Sequence, residues 1–445
     1  MTQLFSFLIV IGIIILIHEF GHFSMAKLFR IPVATFSLGF GPRLFGFRFR
    51  ETEYKISAIP LGGYVKIHGM EDQEAAPDDP NSFYNRPRYQ RFLVLFMGVG
   101  FNWILAIILI TAALTIGLNV SQSVDMPSRI GAVTPGTPAE KAGLKTGDLI
   151  LAINGRETPT WEKVSLATLL HPDETIIVRY QRDNQTAEKH VSVGRNPNNS
   201  LGYIGIHPST DVVVLAVAPD MPAAKAGLRK DDVIRTIDGI PIHGIEGAPA
   251  AVQKSGGKPV KVVVDRKEGA TKVPKEFVIQ PLKDPASGRW VLGFSPGEPT
   301  KLRKLPLGNA LKESIRTCRD HVLLNLVFIS KLIQGQLSLK ATSGPFDIAR
   351  LSDATRQTGF STFLLFIGTI SFDIGIINLL PIPALDGGHI FFLLVEGIFR
   401  REISVKVKER VTMVGFFFLI CVMVIVLYYD VLKISAVQRL LENFR

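Results

Sequence analysis

The sequence predicts a multi-pass α-helical membrane protein with four transmembrane helices, a membrane-associated β-hairpin and two inserted β-rich domains. Three observations carry this expectation. Four apolar segments, about 4–28, 92–118, 359–380 and 411–429, are long enough to cross a bilayer. Basic residues crowd the two short loops between these segments. A repeated β-rich pattern fills the long connection between the second and third segments. Composition agrees: 47% of the 445 residues are hydrophobic, and mean hydropathy is +0.26.

The first span holds His18, Glu19 and His22 in an otherwise apolar helix, 11–29. His18 and His22 are four apart and share one helical face. At that spacing two imidazoles can ligate one zinc ion, with Glu19 beside the metal as general base. A chance match is common in soluble chains. Inside a membrane helix each polar side chain is costly, which makes the trio a candidate site. The chain start has no basic n-region and carries this trio, so it reads as a retained helix.

Formal net charge is +11. Arg30, Arg43, Arg48, Arg50, Lys55, Lys66, Arg86, Arg88 and Arg91 lie between spans one and two. Arg400, Arg401, Lys406, Lys408 and Arg410 lie between spans three and four. The positive-inside rule places both loops in the cytoplasm, and puts the N-terminus, 119–358 and the C-terminus outside. The charge is then an orientation signal, and no nucleic-acid partner is expected. Cys318 and Cys421 support neither a disulfide framework nor a cysteine zinc site.

Residues 52–69 read as a β-hairpin: Tyr54, Ile56 and Ala58 alternate, Gly62-Gly63 supplies the turn, and Tyr64, Val65 and Ile67 return. Two readings are open, a cytoplasmic loop and a re-entrant hairpin lining a cavity near the metal. Gly39, Gly41 and Gly46 mark a flexible loop through which water reaches the site. In the second span, Gly98 and Gly100 allow close helix packing and Asn102 needs a polar partner, a structural role.

The outer stretch repeats itself. Pro135 opens Pro-Gly-Thr-Pro-Ala-Glu-Lys-Ala-Gly-Leu and Pro219 opens Pro-Asp-Met-Pro-Ala-Ala-Lys-Ala-Gly-Leu. Each reads as a short helix, a Gly-Leu stop and a strand ending in Asn-Gly or Asp-Gly. The pattern resembles PDZ domains, over about 125–195 and 205–283. Such domains bind extended peptides by strand addition; spacer modules without a ligand are the other reading. Residues 300–358 follow as one or two amphipathic helices on the outer membrane surface, broken at Ser343-Gly344-Pro345.

The third span ends in Asn378-Leu379-Leu380-Pro381-Ile382-Pro383-Ala384-Leu385-Asp386-Gly387-Gly388-His389. A proteolytic zinc site needs a third ligand and one open position. Asp386 is the candidate, at a depth similar to the histidine pair; helix capping is its plain alternative, and His389 competes as ligand. Pro381 and Pro383 free backbone groups that can bond a substrate strand, and Asn378 can hold its backbone; a structural kink explains all three equally simply.

Together, His-Glu-Phe-Gly-His in the first span, the Asn378–Gly388 run and the tandem PDZ insert resemble the site-2 protease family of intramembrane zinc proteases. The resemblance covers nearly the whole chain and follows the bacterial members with two PDZ domains. It implies one zinc ion held by His18, His22 and Asp386, with Glu19 as catalytic base. Asn378, Pro381, Pro383, Gly62 and Gly63 would handle substrate. The implied substrates are transmembrane segments of single-span proteins already trimmed outside: an anti-sigma factor in envelope-stress signalling, and remnant signal peptides. The implied location is a bacterial inner membrane, with PDZ domains in the periplasm and the active site toward the cytoplasm. A membrane-anchored PDZ adaptor with a structural or vestigial metal site is the rival, and makes Glu19 dispensable. A metal transporter gives no reason for the peptide-binding modules.

Overall fold

The computed structural model describes residues 2–432, apart from 71–78, 170, 196–200, 246, 270, 285–287, 338, 340 and 341. The expected outer location of the C-terminus, and the last part of the 359–445 segment, fall outside the described residues. Two compact units are present: Met1–Leu118 with Arg303–Ile329 and Thr342–Val431, and Asn119–Leu302 with Ser330–Ala341 and Leu432–Arg445.

The first unit opens on α1 (Thr2–Leu28), an uninterrupted apolar run with Lys27 in its last turn, where a cation suits the terminal carbonyls. Arg30, at φ 56°, turns the chain into β1 (Val33–Phe49), which pairs antiparallel with β2 (Thr52–Ile67). This corrects the hairpin expected within 52–69. The partner of 52–67 is the upstream 33–49, and the tight turn falls at Arg50-Glu51, between the paired Phe49 and Thr52. Gly62 and Gly63 lie inside β2. Gly62, at φ 135°, bends the strand, so that Phe36 pairs with both Tyr54 and Val65. The physical reason is ladder length. Two short arms around a glycine pair make few hydrogen bonds, whereas Phe45, Phe47 and Phe49 continue an alternating strand. The loop expected at Gly39, Gly41 and Gly46 is likewise strand, with Gly39 and Gly41 at φ 90° and 87°.

Phe23 of α1 packs edge-on against Phe36 and Tyr54, with ring centroids 5.3 and 5.8 Å away. Helix α2 (Arg88–Ile116) then runs against α1. At Gly21 a Cβ would lie 2.1 Å from Met97 O, so the two backbones touch there. A buried cluster of Ala26, Ile31, Val33, Val65, Val94 and Ile390 ties the sheet to the helices.

The second unit contains two modules. In the first, α3 (Pro138–Lys141) and α4 (Trp161–Leu169) cover a sheet ordered Arg156–Glu157, Leu149–Ile153, Thr175–Arg182, Gln185–Ser192. Ile176, Val178 and Tyr180 alternate into its core with Trp161 and Ile204. In the second, α5 (Pro222–Lys225) and α6 (Gly247–Lys254) pack on a sheet running Thr271–Ile279, Val260–Glu268, Val233–Ile237, Val212–Val217, Phe294–Gly297. The boundaries 125–195 and 205–283 are corrected here. Ile206–Pro208 pairs with Ile130–Val133 and closes the first module. Phe294–Gly297 pairs with Val212–Val217 and closes the second. Each closing strand begins on the last residue of a short apolar triplet, Ile204-Gly205-Ile206 or Leu292-Gly293-Phe294, too brief to show alternation.

The duplication extends to an ion pair. Arg182 donates to Gly143 O and to the Asp148 carboxylate; Arg266 donates to Gly227 O and to Asp232. Asp148 and Asp232 are buried, and their hydrogen bonds push each guanidinium further above its ordinary pKa.

The chain returns to the first unit through α7 (Leu307–Ile333) and α8 (Pro345–Thr358), two helices where the sequence pattern left one or two open over 300–358. Pro345 starts α8 after Gly344, and the amides of Gly344, Phe346 and Asp347 donate to the buried carboxylate of Asp430. Gly359, at φ 145°, separates α8 from α9 (Phe360–Asn378). A turn leads to α10 (Asp386–Phe399) and then α11 (Val405–Leu432). Among the described residues, α1, α2, α9 and α11 are long and apolar enough to cross a membrane.

Candidate metal centre

The helical period of α1 places His18 and His22 side by side, with ring centroids 4.8 Å apart and planes at 86°. The third group arrives from the turn between α9 and α10. Ile382 N–H donates to Leu380 O, and Leu385 N–H to Ile382 O, so the chain folds tightly around the two prolines. The glycines after Asp386 make that fold feasible. A Cβ at Gly387 would lie 2.3 Å from Leu379 O, and one at Gly388 2.3 Å from Ile382 O. Asp386 therefore opens α10 facing α1.

Three donor atoms converge. His18 Nε2 lies 3.2 Å from His22 Nε2, Asp386 Oδ2 is 3.1 Å from His18 Nε2, and it is 3.4 Å from His22 Nε2. A tetrahedral ion with ligand bonds of about 2.0–2.1 Å separates its donors by about 3.3 Å. The triangle matches that edge length. Asp386 Oδ2 is buried and has no hydrogen-bond partner among the described residues. An orphaned carboxylate oxygen beside two imidazole nitrogens is the donor set a zinc ion takes.

Helix α2 supports the donors from behind. His22 Nδ1 lies 2.8 Å from Val94 O. A carbonyl only accepts, so Nδ1 carries the proton and Nε2 presents its lone pair. His18 Nδ1 lies 3.4 Å from the side-chain amide of Asn102, a fully buried residue whose Oδ1 has no hydrogen-bond partner among the described residues. With the amide turned over, Oδ1 accepts from His18 Nδ1–H, satisfying both groups and fixing the same tautomer. Between these two, Gly98 makes room for the rings. A Cβ there would lie 2.3 Å from His22 Nε2 and 3.0 Å from His18 Cε1.

Val94, Gly98 and Asn102 therefore stand against the candidate ligands, where the sequence pattern suggests packing roles for Gly98 and Asn102 and none for Val94. Their signal is readable: they recur every four residues, the same interval as His18 and His22, and form one stripe. Glu19 is half-buried next to the triangle, and Gly63 of β2 faces it. A Cβ at Gly63 would stand 3.2 Å from Glu19 Cγ. Gly62 bends the same strand, with Phe40 against it. Asn378 ends α9, Pro381 is exposed, and Pro383 packs against α11, where a Cβ at Gly415 would lie 3.1 Å away. Among the described residues the metal-ligand cluster is His18, His22 and Asp386. His389 lies outside it, one turn along α10.

A family model described as peptidase family M50 matches residues 6–422. The regulator of sigma-E protease RseP of Escherichia coli is 30% identical, over 96% of this chain and 98% of its own. The regulator of sigma E protease of Haemophilus influenzae is 31% identical with the same coverage. A Vibrio cholerae protein whose name carries the words zinc metalloprotease is 29% identical over 96% of this chain and 97% of its own.

Proposed function

The chain belongs to peptidase family M50 and is a zinc metalloprotease of the site-2 type; from that premise we propose that it hydrolyses peptide bonds inside transmembrane segments of single-span proteins already trimmed outside. The observation that carries the reading is the triangle of His18, His22 and Asp386, with Glu19 beside it inside an apolar helix. His18, His22 and Asp386 hold the zinc ion. When bound, zinc polarises a water molecule and the scissile carbonyl and favours the oxyanion. Glu19 takes the proton of the attacking water and delivers it to the leaving amine. Val94 and Asn102 keep both histidines in the ligating tautomer throughout.

A membrane helix hides its peptide bonds in its own ladder and must unwind to react. Gly63 supports docking of the unwound segment along β2, because a side chain there would crowd Glu19. The open edge of the strand replaces the lost hydrogen bonds. Asn378, Pro381 and Pro383 approach the segment from the α9–α10 turn. Leu44, Phe45, Phe47 and Phe49 are exposed on β1, which suits a sheet resting in lipid.

The two modules of the second unit are PDZ-like and lie outside, by the positive-inside rule. In the second, a groove of about 700 Å³ between α6 and the Phe294–Gly297 strand fits an extended peptide. RseP relatives are named for regulation of sigma E, which supports an anti-sigma factor as substrate, with remnant signal peptides as further substrates, in a bacterial inner membrane. The test is a cleavage map. The full chain in detergent is incubated with a trimmed single-span protein, and the products are weighed by mass spectrometry. The cut is expected inside the apolar segment and disappears with a zinc chelator. A chelator-resistant cut, or one confined to the water-soluble part, contradicts the proposal.

A further inference from the structure

At the N-terminal end of α2, ten residues and about 15 Å from Gly98, Tyr84, Arg86, Arg88, Tyr89, Arg91 and Glu402 line a cleft of about 630 Å³. Arg91 is only 3% exposed, yet its Nε has no hydrogen-bond partner among the described residues. Its terminal nitrogens stand 3.8 Å from Glu396 Oε2 and 3.8 Å from Glu402 Oε1, in ionic range but beyond hydrogen-bond distance. Glu396 is fully buried and already held by Lys408 Nζ at 2.6 Å and Ile403 N–H at 3.0 Å. Lys408 therefore takes one oxygen of Glu396, the other faces Arg91 without a hydrogen bond, and the buried Arg91 Nε lacks an acceptor among the described residues. Such a group is costly unless a ligand supplies oxygens.

The surroundings select the ligand's charge. Arg86 donates to Arg30 O at 3.0 Å and to Asn81 Oδ1 at 3.5 Å, its Nε has no partner among the described residues, and Arg88 is exposed at the rim. The N-cap, Pro87, offers no side-chain oxygen to the first turn, so the positive end of a 29-residue helix opens into the same cleft. Against three arginines stands one carboxylate in the cleft, Glu402, which is 72% exposed and turns readily to solvent. Forked guanidinium donors match the oxygens of a phosphate group. Helix α2 is long and apolar enough to cross a membrane, and the exposed Tyr89 beside its first turn is a side chain suited to headgroup depth.

We propose that this cleft binds a phosphate group, supplied by the headgroup of an anionic phospholipid and gripped by Arg86, Arg88 and Arg91. The test uses the full chain in a neutral detergent and reads lipid retention by native mass spectrometry. Dioleoylphosphatidylglycerol is titrated against dioleoylphosphatidylcholine, and inorganic phosphate is titrated separately by calorimetry. Phosphatidylglycerol is expected to be retained over phosphatidylcholine. Its affinity is expected to fall about 5-fold in Arg88→Gln and about 30-fold in Arg86→Gln/Arg88→Gln. Arg88 is exposed and Arg86 half-buried, and bound zinc reports that the variants are folded. Inorganic phosphate binding that weakens in these variants, without lipid preference, keeps the phosphate site and assigns it to the free ion. Equal retention of both lipids by wild type and variants, with no phosphate binding, overturns the proposal.

Discussion

Gly98→Ala is the smallest change that reaches the metal centre without touching a ligand. The added Cβ would sit 2.3 Å from His22 Nε2 and 2.4 Å from His22 Cε1. Ordinary contact between such atoms begins near 3.5 Å, so the ring has to retreat by about 1 Å. It has nowhere to go without loss, because Nδ1 is held by Val94 O at 2.8 Å and the residue is buried. Metal–ligand distances tolerate only about 0.2 Å. Either His22 leaves the donor triangle, or α1 and α2 separate at a cost of about 1–3 kcal/mol. Zinc affinity is expected to fall about 100-fold, and peptide hydrolysis with it. The assay is zinc content by mass spectrometry after dialysis against graded chelator, on the full chain. Gly100→Ala is the control, since its Cβ meets the flexible Met97 Sδ at 3.2 Å and should leave zinc in place. Stoichiometric, tightly held zinc in Gly98→Ala would refute this account of α2.

Three further outcomes are expected. Asn102→Leu removes the acceptor for His18 Nδ1–H and should weaken zinc about 10-fold, whereas Asn102→Asp should retain it; equal zinc binding in both separates Asn102 from the site. Arg266→Ala leaves the Asp232 carboxylate buried with only the Arg229 amide, and should destabilise the module built on Val212–Val217 and Val260–Glu268 by about 3 kcal/mol; limited proteolysis should cut there first, and an unchanged pattern contradicts the pairing. Asp353 of α8 accepts from Arg356, Gln357 and Ser6 of α1, and the hydrogen-bonded Arg356 holds its carboxyl below the usual range. A carboxylate held low stabilises the fold above its ordinary pKa, and that contribution is lost as pH falls through the lowered value. The melting temperature of wild type should therefore exceed that of Asp353→Asn by a steady margin from pH 8 down to about 5, and the margin should shrink as pH falls below about 4 toward the lowered value; a margin that does not shrink there rules the carboxylate out as the source.

What could be read from the sequence was whatever is written in local pattern. His18 and His22 declare themselves by spacing, and the apolar runs declare the helices by length. Asp386 is legible as a carboxylate in an apolar setting at a depth similar to the histidine pair. The sheet was not legible in the same way. Gly62-Gly63 looks like a hairpin turn, but which strand pairs with 52–67 depends on ladder length and on α1 offering Phe23 to Phe36 and Tyr54. The closing strands of the two modules, Ile206–Pro208 and Phe294–Gly297, are too short for period-two alternation and are fixed by long-range pairing. Gly98 and Asn102 show the remaining gap: residue type alone gave packing and a polar partner, and only the position of α2 against α1 turned these into support for the metal ligands.

The central claim is that Glu19 moves the proton at a zinc site made by His18, His22 and Asp386. The direct measurement is paired: wild type and Glu19→Gln, purified in detergent, assayed for bound zinc and for cleavage of a trimmed single-span substrate. The expected result is equal zinc in both proteins and cleavage by wild type alone. Cleavage by Glu19→Gln at the wild-type rate would contradict the assignment of Glu19 as base, and zinc-loaded wild type that cuts no such substrate would point to a membrane-anchored adaptor whose metal is structural.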